Sequence, residues 1–393
     1  MSNSSSPLAI TGHRPEFLGK GREYAQLCLL TALATVGTLG LCFPWAWQRQ
    51  RSYLGSRTLL AGSQFECRSP GFRKILAAFF AFLLILGFTA EKLLGENWAI
   101  AALVLSGAAG FPYFWALKRR VEFRSLRWRG IRVDFDANLV AIYRKSLPVL
   151  GLALTWLGVL LAMQVAAPAA DPAQTPWITL HLIGELADGD LFVGALALLG
   201  IALSLPCLMR LEFNYTMLLT GSLRIGGKAV RSRLDYPDFI KIWQATIGVF
   251  AACGIPLSLL VHFSLHHFNL GGQVAGVVGV AFFSCLPALA YHEARSFKLL
   301  WGGLGLGGNL RITCNLKPAT FVQLRMIDLT LTLLTLGAYQ PFAKLRNYRA
   351  KIQSLTVHVK GCLDTHAMEL STVRGRQIHP PWTGNPSRRG ALA

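Results

Sequence analysis

The chain is short of acid and short of charge altogether. Nineteen Asp and Glu stand against 39 Lys and Arg, and charged residues make up only 15% of 393. The eight cysteines, at 28, 42, 67, 207, 253, 285, 314 and 362, include no CxxC pair. Neither a zinc site nor a disulfide framework is indicated, and they read as small apolar residues in a reduced or lipidic setting. HExxH, P-loop and GxSxG motifs are missing. The one glycine pattern, Gly303, Gly305 and Gly308 in "GGLGLGG", is followed by a strand pattern. A dinucleotide site needs strand, glycine turn and then helix, so the run reads as a flexible loop. The polar, Ser-rich start has no apolar region leading to a cleavage site, which argues against a cleaved signal peptide.

Apolar residues are abundant instead, at 53%, with mean hydropathy +0.42. A soluble fold cannot hide so much apolar surface, so a bilayer is the natural solvent. A spanning helix needs about 20 mostly apolar residues. Six segments qualify: 72–90, 98–117, 147–167, 191–209, 242–261 and 272–291, free of acidic and basic residues apart from Arg73 and Lys74 at the start of the first. The expected fold is therefore mainly α, a polytopic membrane protein with six clear transmembrane helices. Loops 118–146 and 210–241 are dense in Arg and Lys, whereas 168–190 carries Asp171, Glu185, Asp188 and Asp190 without a cation. Basic loops stay cytoplasmic, which fixes the orientation and places the C-terminus inside. Topology also accounts for the net charge of +20, so no nucleic acid is needed as a partner.

The terminal segments 24–43 and 326–341 are apolar enough to enter the bilayer, as re-entrant hairpins or as full spans. Arg325 and Asp328, three apart at the start of the second, form a candidate intramembrane polar pair. Acidic residues are otherwise missing from the spans, which disfavours ion-coupled transport of a charged solute.

"TLGLCFPWAWQRQRSYL" (38–54) and "TLGAYQPFAKLRNYRAK" (335–351) share Thr-Leu-Gly, a proline, an alanine two residues on and an arginine five residues on. An apolar segment ending in Pro, then a basic stretch, then a short strand occurs five times, at Pro44, Pro112, Pro206, Pro287 and Pro341. The strand reading rests on period-two runs such as Ile131, Val133, Phe135 and Leu355, Val357, Val359. Five short strands delivered by helices are expected to collect into one cytoplasmic sheet or ring. The organisation is then a polar tail (1–23), a membrane domain of five repeats (24–361) and a disordered tail (362–393). The basic stretches offer a lipid-headgroup collar of Arg49, Arg51, Arg119, Arg120, Arg124, Arg127, Arg346 and Arg349, with tryptophans at headgroup depth. Ordinary topology-fixing charge is the competing explanation.

With "FLGKGREY" and "RTLLAGSQFEC" added, these terminal motifs resemble the YjgN-like family of bacterial inner-membrane proteins, from about residue 17 to 361. The resemblance implies a multi-pass inner-membrane protein, brings no established activity or catalytic residue, and implies an HtpX-like membrane peptidase as a partner. On the external side His262 and His266, and His181 and Glu185, are four apart and form a candidate metal site. No cofactor is indicated. The expected function is non-enzymatic binding of lipid, anionic by the charge of the collar, or of a membrane partner. Transport of lipid or another weakly charged solute, and an adaptor role for a membrane metallopeptidase, are the alternatives.

Overall fold

The computed structural model describes residues 10–38, 40, 42–67, 81, 85, 89, 96–166, 191–265 and 270–361. Four long helices carry an internal proline: α3 (Glu96–Arg124), α6 (Leu191–Gly221), α7 (Tyr236–Leu265) and α8 (Leu270–Gly302). α4 (Leu139–Lys145) and α5 (Leu147–Ala166) stand between α3 and α6. Two helical hairpins frame the chain: α1 (Gly21–Gly37) with α2 (Phe43–Ser56), and α9 (Pro318–Leu334) with α10 (Gln340–Gln353). Prolines in the first turn open α2 and α10, where the missing N–H costs nothing.

Among the described residues, two helical stretches are long and apolar enough to cross a membrane, Gly194–Gly221 and Tyr236–Phe263. A third counts only if α4 and α5, bent by 42°, form one span. This corrects the expectation of six clear spans and of two further terminal segments that enter or cross. Segment 72–90 lies almost wholly outside the described residues. α1 and α9 have 17 residues each, about 25 Å at 1.5 Å per residue and short of a hydrocarbon core of about 30 Å. The spans also run further than their apolar centres. α6 continues past Met209 through Arg210 and Glu212 to Gly221, so both candidate spans contain a carboxylate, Glu212 in α6 and Asp238 in the first turn of α7.

Among the described residues all the strands belong to one antiparallel sheet of eleven, in the order β1-β11-β10-β9-β8-β7-β6-β5-β4-β3-β2. Helices deliver hairpins where single strands were expected. β3 (Thr58–Leu60) and β4 (Ser63–Cys67) follow α2; β5 (Leu126–Trp128) and β6 (Ile131–Phe135) follow α3. β7 (Leu223–Ile225) and β8 (Lys228–Ser232) follow α6; β9 (Leu304–Leu306) and β10 (Leu310–Cys314) follow α8. Each first strand has three residues, too few for alternation to show in sequence. The first three hairpins close through two residues with positive φ, Ala61-Gly62, Arg129-Gly130 and Gly226-Gly227, the twist that antiparallel strands prefer. Arg129 (φ 49°) is held there by its guanidinium, which donates to Ser63 Oγ at 2.7 Å and to the Ala61 carbonyl at 2.9 Å.

α10 delivers only β11 (Leu355–Lys360), and its partner comes from the other end of the chain: β1 (Ile10–His13) pairs with β11, while β2 (Glu16–Phe17) pairs with β3. Only Arg14 and Pro15 separate β1 from β2. Three Cα steps of 3.8 Å therefore hold the two edges of the sheet within about 11 Å, and the sheet must curl into a ring. Its interior is filled: Trp128 on β5, six strands away in the order, and Leu60 on β3 both pack against the cluster of Val357 and Val359 on β11. A second cluster joins Ile131, Val230, Leu304 and Leu306. α3, α6 and α8 end at the sheet and α4, α7 and α9 start from it, so the sheet caps one end of the helices.

Candidate functional site

Where α7 leaves the sheet and α8 reaches it, a cleft of about 710 Å³ opens. Six cationic side chains line it, Arg231, Arg233, Lys241, Arg295, Lys298 and Arg311, against one carboxylate, Asp238. Asp238 is held by Lys241 at 3.5 Å. Ile242 and Leu299 supply apolar wall. The strands place the arginines: Arg231 on β8 and Arg311 on β10 are both in register with Gly305 on β9 between them. Such an excess of exposed cations, next to the first turns of a candidate span, suits an anion at a membrane surface. Five of the six cations come from four separate elements and Arg233 from the loop after β8, so no sequence motif marks them. The only signals were the basic loop 210–241 and the glycine run.

The expected collar is largely occupied by the protein itself. Arg51 and Arg119 both meet Glu122, at 2.6 and 3.0 Å, which ties α2 to α3. Arg120 donates to the Ala137 carbonyl at 2.7 Å, and Arg124 approaches Asp134 at 3.9 Å. Arg349 donates to the Gly19 carbonyl at 3.1 Å. Arg127 has a buried Nε. Arg49 lies over Trp45, and Arg51 and Lys118 both lie over Trp47, at 5.1 to 5.4 Å from the ring centroids. These contacts hold the arms in place, and they leave the cleft as the larger reserve of uncommitted positive charge.

Arg325 and Asp328 sit on one helix and take their closest ionic partners from others. Asp328, 2% exposed, meets Arg346 of α10 at 3.2 Å and accepts from Asn347 Nδ2 at 3.2 Å. Arg325 meets Glu293 of α8 at 3.5 Å, and Lys351 reaches the same carboxylate at 2.5 Å. Burial pushes the Asp328 carboxyl up from its ordinary value, against the pull of Arg346, Arg325 and Asn347. The first hairpin repeats the contact with other chemistry: Gln50 Nε2 donates to Thr31 Oγ1 at 3.0 Å, at positions that the Thr38–Thr335 alignment sets on Asn347 and Asp328.

A second polar cluster ties three long helices. Glu212 of α6 accepts from Trp243 Nε1 of α7 at 2.7 Å and from Ser296 Oγ of α8 at 3.2 Å. His292 Nε2 lies 3.2 Å from the same carboxylate, at ion-pair distance without hydrogen-bond alignment. Ser296 donates to Glu212 and not to the imidazole, so the trio lacks the nucleophile-to-base bond of a hydrolase. Of the candidate metal ligands, His181, Glu185 and His266 lie outside the described residues, and His262 lies in the last turn of α7. No group of three metal-ligating side chains occurs among the described residues.

The profile of one bacterial family, described as bacterial proteins of unknown function (DUF898), matches residues 12–376. The chain belongs to that family. Curated relatives bear the name inner membrane protein YjgN. The protein of Salmonella typhimurium is 24% identical over 206 residues, 51% of this chain and 48% of its own. That of Escherichia coli O157:H7 is 25% identical over 148 residues, 36% of each chain. The chain thus spans about half the length of these relatives, or less. No solved structure is similar. The family attaches no activity to the cleft or to either polar cluster.

Proposed function

We propose that this is a non-enzymatic, multi-pass protein of the bacterial inner membrane that binds anionic lipid at its cytoplasmic surface. The observation that carries the reading is the cleft, six cations against one carboxylate where span α7 meets the sheet. The location follows the name of the relatives. The sidedness follows the basic loop joining α6 to α7, which the positive-inside rule keeps in the cytoplasm; by the same rule the C-terminus is cytoplasmic. Each Lys or Arg near a membrane surface adds roughly 1 kcal/mol of attraction to anionic lipid.

Native mass spectrometry of the protein extracted gently from its own membrane tests this. Retained anionic lipid supports the reading, and extraction without any lipid sinks it. A stoichiometric second protein would instead favour an adaptor, such as one serving an HtpX-like peptidase. Glu212 supports a second reading, transport of a lipid or weakly charged solute, because a carboxylate in a candidate span is costly and kept for function. Flux in liposomes that is lost in Glu212→Gln would favour it.

A further inference from the structure

We propose that the row Arg231–Gly305–Arg311 is a clamp for a dianionic phosphoryl group, a phosphomonoester or diphosphate, seated over Gly305. This deepens the lipid reading and rests on it for the source of the ligand. Both arginines are in register with Gly305, on opposite sides of it, so all three project to one face of the sheet. Two strand spacings put their backbones about 10 Å apart. The strand between them offers no side chain, and no protein acceptor holds either guanidinium among the described residues. Two like charges flanking an empty position repel unless an anion lies between them.

Gly305 is not demanded by the backbone. Gly307 and Gly308 have φ of 61° and 81°, the left-handed region that favours glycine. A Cβ on Gly303 would come within 3.1 Å of the Arg233 carbonyl oxygen, so close packing requires that glycine. A Cβ on Gly305 would meet only the Leu310 carbonyl oxygen, at 3.4 Å, and the position needs no positive φ. What glycine provides there is room between two forks. Lys298 and Arg295 face the row from α8, and Asp238 is engaged by Lys241.

The ligand class follows from the donors. A guanidinium binds phosphate through two parallel N–H bonds. The single charge and two free oxygens of a phosphodiester satisfy one such fork. The three terminal oxygens of a phosphomonoester, or the two phosphates of a diphosphate, can face both. The chemistry is shared by a lipid headgroup and by a soluble phosphate compound, and the apolar wall of Ile242 and Leu299 beside α7 favours the lipid.

The test uses the full chain in nanodiscs of zwitterionic lipid containing phosphatidic acid or, at equal fraction, phosphatidylglycerol. Native mass spectrometry reads lipid retention, and calorimetry reads pyrophosphate binding in detergent. Phosphatidic acid is expected to be retained at least about tenfold better than phosphatidylglycerol, the worth of one extra charge-assisted fork. Arg311→Gln and Gly305→Glu are each expected to abolish that preference. Gly305→Glu should keep or raise thermal stability, because its carboxylate neutralises the two arginines; Arg311→Gln decides the case if Gly305→Glu does not fold. Equal retention of the two lipids overturns the clamp and leaves the lipid reading standing. Pyrophosphate binding lost in both variants, with neither lipid retained, upholds the clamp for a soluble ligand and overturns the lipid reading. Binding of neither lipid nor pyrophosphate overturns both.

Discussion

If the sheet is a filled ring, its most sensitive side chain is Trp128. That residue lies on β5 and reaches β11 across the interior, where it joins two hydrophobic clusters. Replacing a fully buried Trp by Ala costs about 3–5 kcal/mol. Trp128 is half-buried, so about 2–3 kcal/mol is expected for Trp128→Ala. At roughly 2 °C per kcal/mol for a chain of this size or somewhat smaller, the midpoint of thermal unfolding should fall by about 5 °C. Gln64→Ala, exposed on the neighbouring strand β4, is the control and should move it by less than about 1 °C. Far-UV circular dichroism in detergent reads both. A Trp128→Ala midpoint no lower than that of Gln64→Ala would refute a ring with a packed interior, because an open sheet has nothing for this indole to touch six strands away.

Other outcomes follow from the same contacts. Asp328→Ala strips Arg346 and Asn347 of their shared acceptor; because Arg346 is 40% exposed, a loss of about 1–3 kcal/mol is expected in thermal unfolding, less than for a fully buried pair. The double variant Asp328→Thr, Asn347→Gln transplants the contact of the first hairpin and should recover most of that loss, as the same measurement reads. Burial raises the Asp328 carboxyl in the folded state. Its contribution is then fully present below its unfolded value and is lost as pH rises through the folded one, so wild type should gain stability on acidification relative to Asp328→Asn. Deleting residues 1–17 removes β1 and β2 and bares the edges β11 and β3; soluble aggregates on size exclusion, absent from wild type, are the expected result.

What the sequence disclosed was periodic and local. Leu355, Val357 and Val359 are buried while Thr356 and His358 are only partly so, the two-residue period expected of a strand with one inward face. The terminal motifs led to the family, and the prolines marked where helices pass from apolar to basic. Three things were not legible. First strands of three residues are too short to alternate. The helices run on into charged ends, so apolar stretches overstated the number of spans and hid Glu212. The cleft depends on register between β8, β9 and β10, and nothing local marks Arg231, Gly305 and Arg311 as neighbours. The arginines singled out as a collar share composition with those of the cleft, and only their partners, Glu122 above all, separate the two groups.

Binding of lipid at the cytoplasmic surface requires the sheet-bearing end of the helices to face the cytoplasm. The most direct measurement is cysteine labelling at the hairpin turns, with Gly130→Cys and Asn309→Cys in a chain whose native cysteines are replaced by serine or alanine. A membrane-impermeant maleimide is applied to spheroplasts and to inverted inner-membrane vesicles. Labelling of both positions in inverted vesicles only is the expected result. Labelling in intact spheroplasts would put the cationic cleft on the outer face and contradict the account.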